Sequence, residues 1–420
     1  MSTSLGTRAT SGLDWACGLL FGGNDAVHAR RRGEGPAPAG FRPTEAYLVL
    51  PRATNPRLLV PLRSTRAAAA ALARNHDATS KKSRLVKTAL AAGLRVGLTQ
   101  RLMPDRVDIS VAGDLAPGQL AGSLLSEHLR EVFARPDAEM AVILGPPRLN
   151  RKPVLQVLSG QGEVLGYVKA AWNDLTRGLV RNEARVLDDL RRLPHSAFTP
   201  PGLVHHGPWG RLELLAASAL PHTVRPAEAQ VFDPPMAVIA EVAATWGVSQ
   251  APLADHPYWA GVRRRLDLRQ AAPAGTPDPL APIVSSVEER FGATDLRFGA
   301  WHGDFTPWNM ARLGNEVFLW DWERCMPAPV GLDLLHFLFQ SVCRFEGRNP
   351  QRAVEICRER TPGLLSRLEV DPATESALWS LYRMELLFRY DEARLAGVLE
   401  HQSRIHTGIL QMFDRDMEFG

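Results

Sequence analysis

Cysteine is scarce in this chain of 420 residues: there are four, Cys17, Cys325, Cys343 and Cys357, and none forms a C-x-x-C pair. That excludes a disulfide framework and a structural zinc site, and makes a reducing cytoplasm the expected compartment. Long apolar runs are lacking too. Leu13 to Gly23 contains Asp14, is too short to span a bilayer and is followed rather than preceded by its arginines, so it reads as neither a signal nor a transmembrane segment. No internal repeat is found. Residues 1–140 carry 19 Lys/Arg against 12 Asp/Glu, concentrated in Arg30-Arg31-Arg32 and in Lys81 to Lys87. No aromatic or zinc-finger pattern accompanies these clusters, so they read as a solvated loop and helix face, and neither a nucleic-acid nor a membrane partner is expected.

What is present is a composition that is 45% hydrophobic, enough for a substantial core in two or three domains. A flexible start is expected over residues 1–40, ending in the low-complexity "GEGPAPAG". Residues 41–137 read as a small α/β segment without evident chemistry. Its "AYLVLP" and "RLLVPL" form a strand hairpin, "TRAAAAALARNH", "SRLVKTALAAGLRVGL" and "LAGSLLSEHLREVF" are helices, and "RVDISV" is a strand. Residues 138–220 bring three β-rich runs, "EMAVILG", "PVLQVLS" and "EVLGYVKAAW", the last two joined at Gly160-Gln161-Gly162. The helix "RGLVRNEARVLDDLRRL" and the strands "GLVHHG" and "RLELLAAS" follow. Residues 221–420 read as mostly helical, broken by "QAAPAGTPDPLAP" and by the stretch "WHGDFTPWNM" with a hairpin after it.

Two charges fall where apolar neighbours are expected. Strand alternation puts Lys169 on the face of Leu165 and Tyr167, and helical spacing puts Glu183 within the stripe of Leu179, Val180, Val186, Leu187 and Leu190. An ion pair between them satisfies both; separate snorkelling of each to solvent satisfies them equally. A strand lysine held by a helix glutamate also positions nucleotide phosphates in kinase-type lobes.

The stretch "WHGDFTPWNM" and the following "ARLGNEVFLWDWE" hold the second constellation. With a three-residue loop at Gly314 to Glu316, Leu313 pairs with Val317 and Asn309 lies across from Asp321; with a two-residue turn, Asn309 faces Trp320 instead. The three-residue register is expected, because it lets the amide oxygen and the carboxylate approach one Mg²⁺. Asp304 then stands ready to accept a proton from an attacking hydroxyl. His302, beside a glycine on a tight loop, reads as a hydrogen-bonded structural histidine, and Trp301, Trp308, Trp320 and Trp322 as core.

On His302-Gly303-Asp304, Asn309 and Asp321-Trp322-Glu323, which match an H-G-D-x-x-x-x-N motif followed by D-W-E, the chain resembles the aminoglycoside phosphotransferase and choline kinase-like family. The resemblance runs over about residues 138–413. It implies an α+β, two-lobed protein-kinase-like fold, with a small antiparallel-sheet lobe and a mostly helical large lobe, to which an N-terminal α/β extension is added. It implies Asp304 as catalytic base, Asn309 and Asp321 as magnesium ligands, and Lys169, paired with Glu183, as the phosphate contact. Backbone groups near Leu215 to Ala217 are implied for adenine, and Asp333 in "GLDLLHF" as a brace for the catalytic loop. One departure is the loop at residues 145–153, "GPPRLNRKP", with one glycine where a phosphate cover would stand; Arg148, Arg151 or Lys152 are the cations available there.

The expected activity is transfer of the γ-phosphate of ATP, with Mg²⁺, to a hydroxyl of a small molecule: an aminoglycoside, an amino sugar, another sugar or a choline-like acceptor. Glu385, Arg389, Asp391 and Glu392 in "ALWSLYRMELLFRYDEAR" are candidate acceptor contacts or a solvated helix face. The alternative is a non-catalytic kinase-like protein that holds nucleotide and uses its N-terminal segment for a partner.

Overall fold

The computed structural model describes residues 12–73, 81–145, 151–221, 225–226, 233–270, 278–345, 349–395 and 407–410. The chain divides into two compact units, Met1–Ala184 with Gly202–His222, and Arg185–Pro201 with Thr223–Gly420.

The first unit contains α1 (Gly12–Leu20), β1 (Val27–Arg31), β2 (Phe41–Arg52), β3 (Asn55–Pro61), α2 (Thr65–Ala73), α3 (Lys81–Arg95), α4 (Thr99–Leu102) and β4 (Arg106–Ala112). It continues with α5 (Pro117–Ser123), α6 (Leu125–Val132), β5 (Glu139–Ile143), β6 (Val154–Leu158), β7 (Val164–Ala171), most of α7 (Asp174–Leu190), β8 (Leu203–Trp209) and β9 (Leu212–Ser218). All nine strands form one sheet, in the order β1-β4-β2-β3-β5-β6-β7-β9-β8. The strands of residues 41–137 therefore continue the sheet of residues 138–220, the join being Leu58 and Leu59 of β3 against Ile143 and Val142 of β5. This pairing satisfies an edge of β5 that would otherwise be left open.

Alternation along these strands feeds two cores. Tyr47, Val49, Leu59, Val168, Leu214 and Ala216 pack with Leu13, Ala16 and Leu20 of α1 and Leu125 and Leu129 of α6. Leu48, Leu50, Leu58 and Val60 pack instead with Ala67, Ala68, Ala71 and Leu72 of α2 and with Leu94 of α3. The start of the chain, expected to be flexible to Gly40, is thus helix and strand in its described part, because α1 has a sheet face to cover. The expected single helix over "LAGSLLSEHLREVF" is two, parted at Leu124, whose backbone is extended. Gly166 of β7 is required by packing: a Cβ there would meet the Phe133 ring at 2.6 Å.

In the second unit, β10 (Arg225–Pro226) is followed by α8 (Met236–Ala244), β11 (Ser249–Pro252), α9 (Pro257–Gln270), α10 (Leu280–Phe291) and β12 (Asp295–Trp301). Then come β13 (Met310–Leu313), β14 (Glu316–Leu319), β15 (Met326–Pro329), α11 (Leu332–Phe345), α12 (Pro350–Leu365) and α13 (Glu375–Leu395). Two small sheets, β10-β13-β14 and β11-β12-β15, carry the loop from Trp301 to Met310. Trp259, Phe298, Trp322, Phe339, Trp379 and Phe388 fill the core around them. The greater part of the Pro/Ala-rich loop, residues 271–277, lies outside the described residues. Among the described residues no helix is long and apolar enough to cross a membrane, and all four cysteines are free.

Candidate active site

In the first unit Lys169 and Glu183 meet. Nζ of Lys169 donates to Oε2 of Glu183 at 2.5 Å, with the side chains 18% and 4% exposed. The separate-snorkelling alternative is thereby excluded. β7 holds Lys169 beside Leu215 of β9 and Val154 of β6, and α7 buries Val180 and Ala184 against Ala171 and Leu215, so Glu183 is carried by a packed helix face.

The expectation for Leu215 and Ala217 needs correction. β9 is an interior strand: Leu215 pairs with Lys169 on one side and His206 on the other, and Ala217 with Tyr167 and Leu203. Backbone groups committed to two ladders are not free to receive a base. In the phosphate-cover loop, residues 146–150, and with them Arg148, lie outside the described residues. Arg151 is not offered to phosphate; its guanidinium lies 4.2 Å over the Trp15 ring.

In the second unit the loop from β12 to β13 is fixed from behind. Asp333, in the first turn of α11, accepts the backbone N–H of His302 at 2.8 Å and of Gly303 at 3.2 Å. Burial pushes the Asp333 carboxyl up to about 7 despite these bonds. Gly303 has φ 83°, and a Cβ on it would stand 2.6 Å from the Arg324 carbonyl oxygen, so no side chain is tolerated there. His302 is fully buried. Its Nδ1 accepts the Asp304 N–H at 3.2 Å, which leaves the proton on Nε2, 3.2 Å from the Trp320 carbonyl oxygen. His302 is thus a structural clamp, and Trp322 packs beside it with ring centroids 4.5 Å apart and planes tilted by 55°.

Within Trp301–Met310 Asp304 and Trp308 alone are partly exposed. Asn309 turns its amide nitrogen toward Asp304, donating to the carboxylate Oδ2 at 2.7 Å and to the backbone oxygen at 2.9 Å. Its Oδ1 is left for another partner. The other carboxylate oxygen of Asp304, Oδ1, lies 3.1 Å from Nε2 of His336, and Nδ1 of His336 lies 3.1 Å from the Tyr382 hydroxyl. Burial raises the Asp304 carboxyl, but the hydrogen bond and charge of His336, with Arg389 and His302, outweigh it and hold the group below the usual carboxylate range. Burial lowers His336 by more than Asp304 raises it, so its ring is the weaker base and stays neutral near pH 7. A neutral ring facing an ionised carboxylate must donate from Nε2 and accept from Tyr382 at Nδ1. The sequence reading passed over His336, although it stands one turn beyond Asp333 in "GLDLLHF", on the same helix face.

The hairpin register differs from the one expected. Leu313 pairs with Glu316 and Met310 with Leu319, a two-residue turn at Gly314-Asn315. Gly314 has φ 60° while Asn315 has no positive φ, the pattern of a II′ turn, which matches strand twist better than the longer loop. Asn309 therefore faces Trp320, whose N–H donates to the Asn309 carbonyl at 3.1 Å. Strand parity nevertheless does not direct Asp321, because β14 ends at Leu319 and Asp321 is left-handed, φ 74° and ψ 51°. That conformation costs a non-glycine residue about 1 kcal/mol or more, and aspartate adopts it more readily than most. The carboxylates of Asp321 and Glu323 come within 4.8 Å of one another. Carboxylate oxygens are hard donors of the kind that suits Mg²⁺.

Glu385 and Asp391 are not available as acceptor contacts, nor are they solvated. Glu385 is buried and takes a two-pronged bond from Arg265 at 2.9 and 2.6 Å and the Tyr258 hydroxyl at 2.9 Å. Asp391 is buried and bound by Arg269, which also grips Asp278 at 2.7 Å. Arg389 lies 4.6 Å over the Trp301 ring; the side chain of Glu392 is outside the described set.

No family model matches the chain, and no curated protein does. Among solved structures it is similar to an amicoumacin kinase determined with AMP-PNP and Ca²⁺, at 12% identity over 72% of this chain and 96% of the other, with a TM-score of 0.46. It is similar to the choline kinase LicA from Streptococcus pneumoniae, at 12% identity over 68% and 99%, TM-score 0.42. A thermostable mutant of an aminoglycoside phosphotransferase matches at 12% identity over 68% and 98%, TM-score 0.42.

Proposed function

We propose that the protein is an ATP-dependent phosphotransferase acting on a hydroxyl of a small molecule. The observation that carries this is Asp304: a partly exposed carboxylate kept ionised, with one oxygen held by Asn309 and the other by His336. A carboxylate fixed at both oxygens orients an incoming hydroxyl, and each oxygen keeps a lone pair for it.

In this reading the acceptor O–H donates to Asp304. Its oxygen attacks the γ-phosphorus, the bond from the γ-phosphorus to the bridging β–γ oxygen breaks, and the proton passes to the Asp304 carboxylate. A base held below the usual carboxylate range is a poor proton acceptor early in the reaction. Asp304 therefore orients the hydroxyl first and takes the proton late, as a loose phosphoryl-transfer transition state allows. Asn309, through Oδ1, and Asp321 would hold Mg²⁺, which would neutralise phosphate charge. Lys169, oriented by Glu183, is the phosphate contact, and Asp333 and His302 hold the loop in shape without touching substrate.

The test is a Mg²⁺-dependent thermal shift with ATP, followed by an ATP-consumption screen over aminoglycosides, amino sugars, other sugars, choline and homoserine. The expected result is a shift that needs both ATP and Mg²⁺, turnover with at least one acceptor, and loss of that turnover in Asp304→Ala. No shift, or turnover indifferent to Asp304→Ala, overturns the reading.

A further inference from the structure

The basic run at Lys81 to Lys87 reads as a solvated face while its sequence alone is considered. The structure shows what lies at its back. Residues 78–104 hold six cations, Lys81, Lys82, Arg84, Lys87, Arg95 and Arg101, and no acidic residue. α3 covers the sheet with Leu94, assisted by Leu90 and Ala91. Directly opposite, at i, i+4, i+7 and i+11, run Leu85, Ala89, Ala92 and Val96, all exposed. Val96 keeps the helical register, its N–H donating to the Ala92 carbonyl at 3.3 Å.

Leu85 and Val96 are 73% and 76% exposed, and Leu98, at the N-cap of α4, and Leu102, its last residue, are 53% and 73%. With Val86, five of the nine large apolar side chains exposed among the described residues fall in this one segment, so it is a patch and not scatter. A helix apolar on two opposite sides is normally buried on both. Here the second side is flanked by Arg95 and Arg101, both exposed.

We propose that α3 and α4 form a peripheral docking face for an anionic lipid surface, the apolar stripe entering the headgroup boundary and the cations meeting lipid phosphates and carboxylates. The charge decides the occupant. A second copy of this chain would set Arg95 and Arg101 against the same two arginines. The stripe is thin, two large side chains about 16 Å apart with alanines between. That suits shallow insertion into a fluid interface better than filling a shaped groove on a protein. The face lies on the N-terminal part of the chain, which the proposed phosphotransfer chemistry does not use, so it stands apart from that reading.

The experiment is flotation of the full-length protein with vesicles of phosphatidylcholine alone and of phosphatidylcholine with phosphatidylserine. Leu85→Ser/Val96→Ser, Leu98→Ser/Leu102→Ser and Arg95→Gln/Arg101→Gln are compared with the wild type, with thermal unfolding as the check on folding. The wild type is expected on the phosphatidylserine vesicles only, released by salt. Each neutralised arginine should weaken partitioning roughly fivefold, and both serine pairs should lose it with unfolding temperature unchanged. Absence from phosphatidylserine vesicles, equal binding to both compositions, or binding indifferent to the serine pairs overturns the proposal. So does a dimer in light scattering that the serine pairs abolish while vesicles are ignored, which would make the face a self-association interface.

Discussion

His336 stands between Asp304 and Tyr382, 3.1 Å from each, with Nε2 toward the carboxylate and Nδ1 toward the hydroxyl. The ring carries one proton and the carboxylate requires it, so the carboxylate sets the tautomer and the tyrosine hydroxyl donates to Nδ1. His336→Phe is expected to lower kcat by about 10- to 100-fold, the value of one hydrogen bond to a charged group, with KM for ATP little changed. Tyr382→Phe should cost less, because the ring keeps its bond to Asp304. Steady-state kinetics on the best acceptor of the screen measures both. Equal falls in thermal stability and activity would assign His336 to the core alone.

The Lys169–Glu183 pair separates stability from nucleotide binding. Lys169→Met strands the 4%-exposed glutamate and should destabilise the protein by about 3 kcal/mol. Lys169→Met/Glu183→Gln should recover most of that stability and none of the ATP-dependent thermal shift. Recovery of the shift in the double variant would remove Lys169 from phosphate binding.

At Asp321 the left-handed backbone offers a clean deletion. Asp321→Gly removes the carboxylate and suits φ 74°, so unfolding temperature should hold or rise slightly, by the order of 1 kcal/mol of relieved strain. The Mg²⁺-dependent part of the ATP shift should disappear, as it should on adding EDTA to the wild type. A magnesium dependence that survives in the glycine variant counts against Asp321 as ligand.

Glu385 and Arg265 yield a pH signature. Burial raises the Glu385 carboxyl, and Arg265, with Arg389 and Tyr258, outweighs this and holds it below the ordinary value of 4.5. A depressed folded-state value means stabilisation that is present above pH 4.5 and lost as pH falls below it. Arg265→Met should destabilise by about 3 kcal/mol at neutral pH. The gap to wild type should narrow below pH 4.5, where the lone carboxyl protonates in both states. Chemical denaturation of both proteins across that range measures it; a pH-independent gap would mean that packing, not charge, is lost.

The two oddly placed charges were legible because each broke a period. Lys169 interrupts a strand face and Glu183 a helix stripe, and opposite charges on buried faces of adjacent elements have few ways to be satisfied. Asp333 and His302 were legible through their place in a short motif whose parts lie close along the chain. The hairpin register was not, since Gly314-Asn315-Glu316 admits a two- or a three-residue turn and the choice rests on strand twist. Nor was the fate of Glu385, whose partner Arg265 lies 120 residues away.

From the sequence alone came most strands and helices of residues 41–220, the hairpin after Asn309 and the residue types that suit phosphoryl transfer, because periodicity and short motifs are local properties. Only the tertiary structure decided that β3 pairs with β5, so that the N-terminal strands and the later ones make one sheet. It alone showed β9 closed on both edges, His336 behind Asp304, and α3 with an apolar side left uncovered. Each depends on which distant segment lies alongside, and that is set by the whole core and not by any window of the chain.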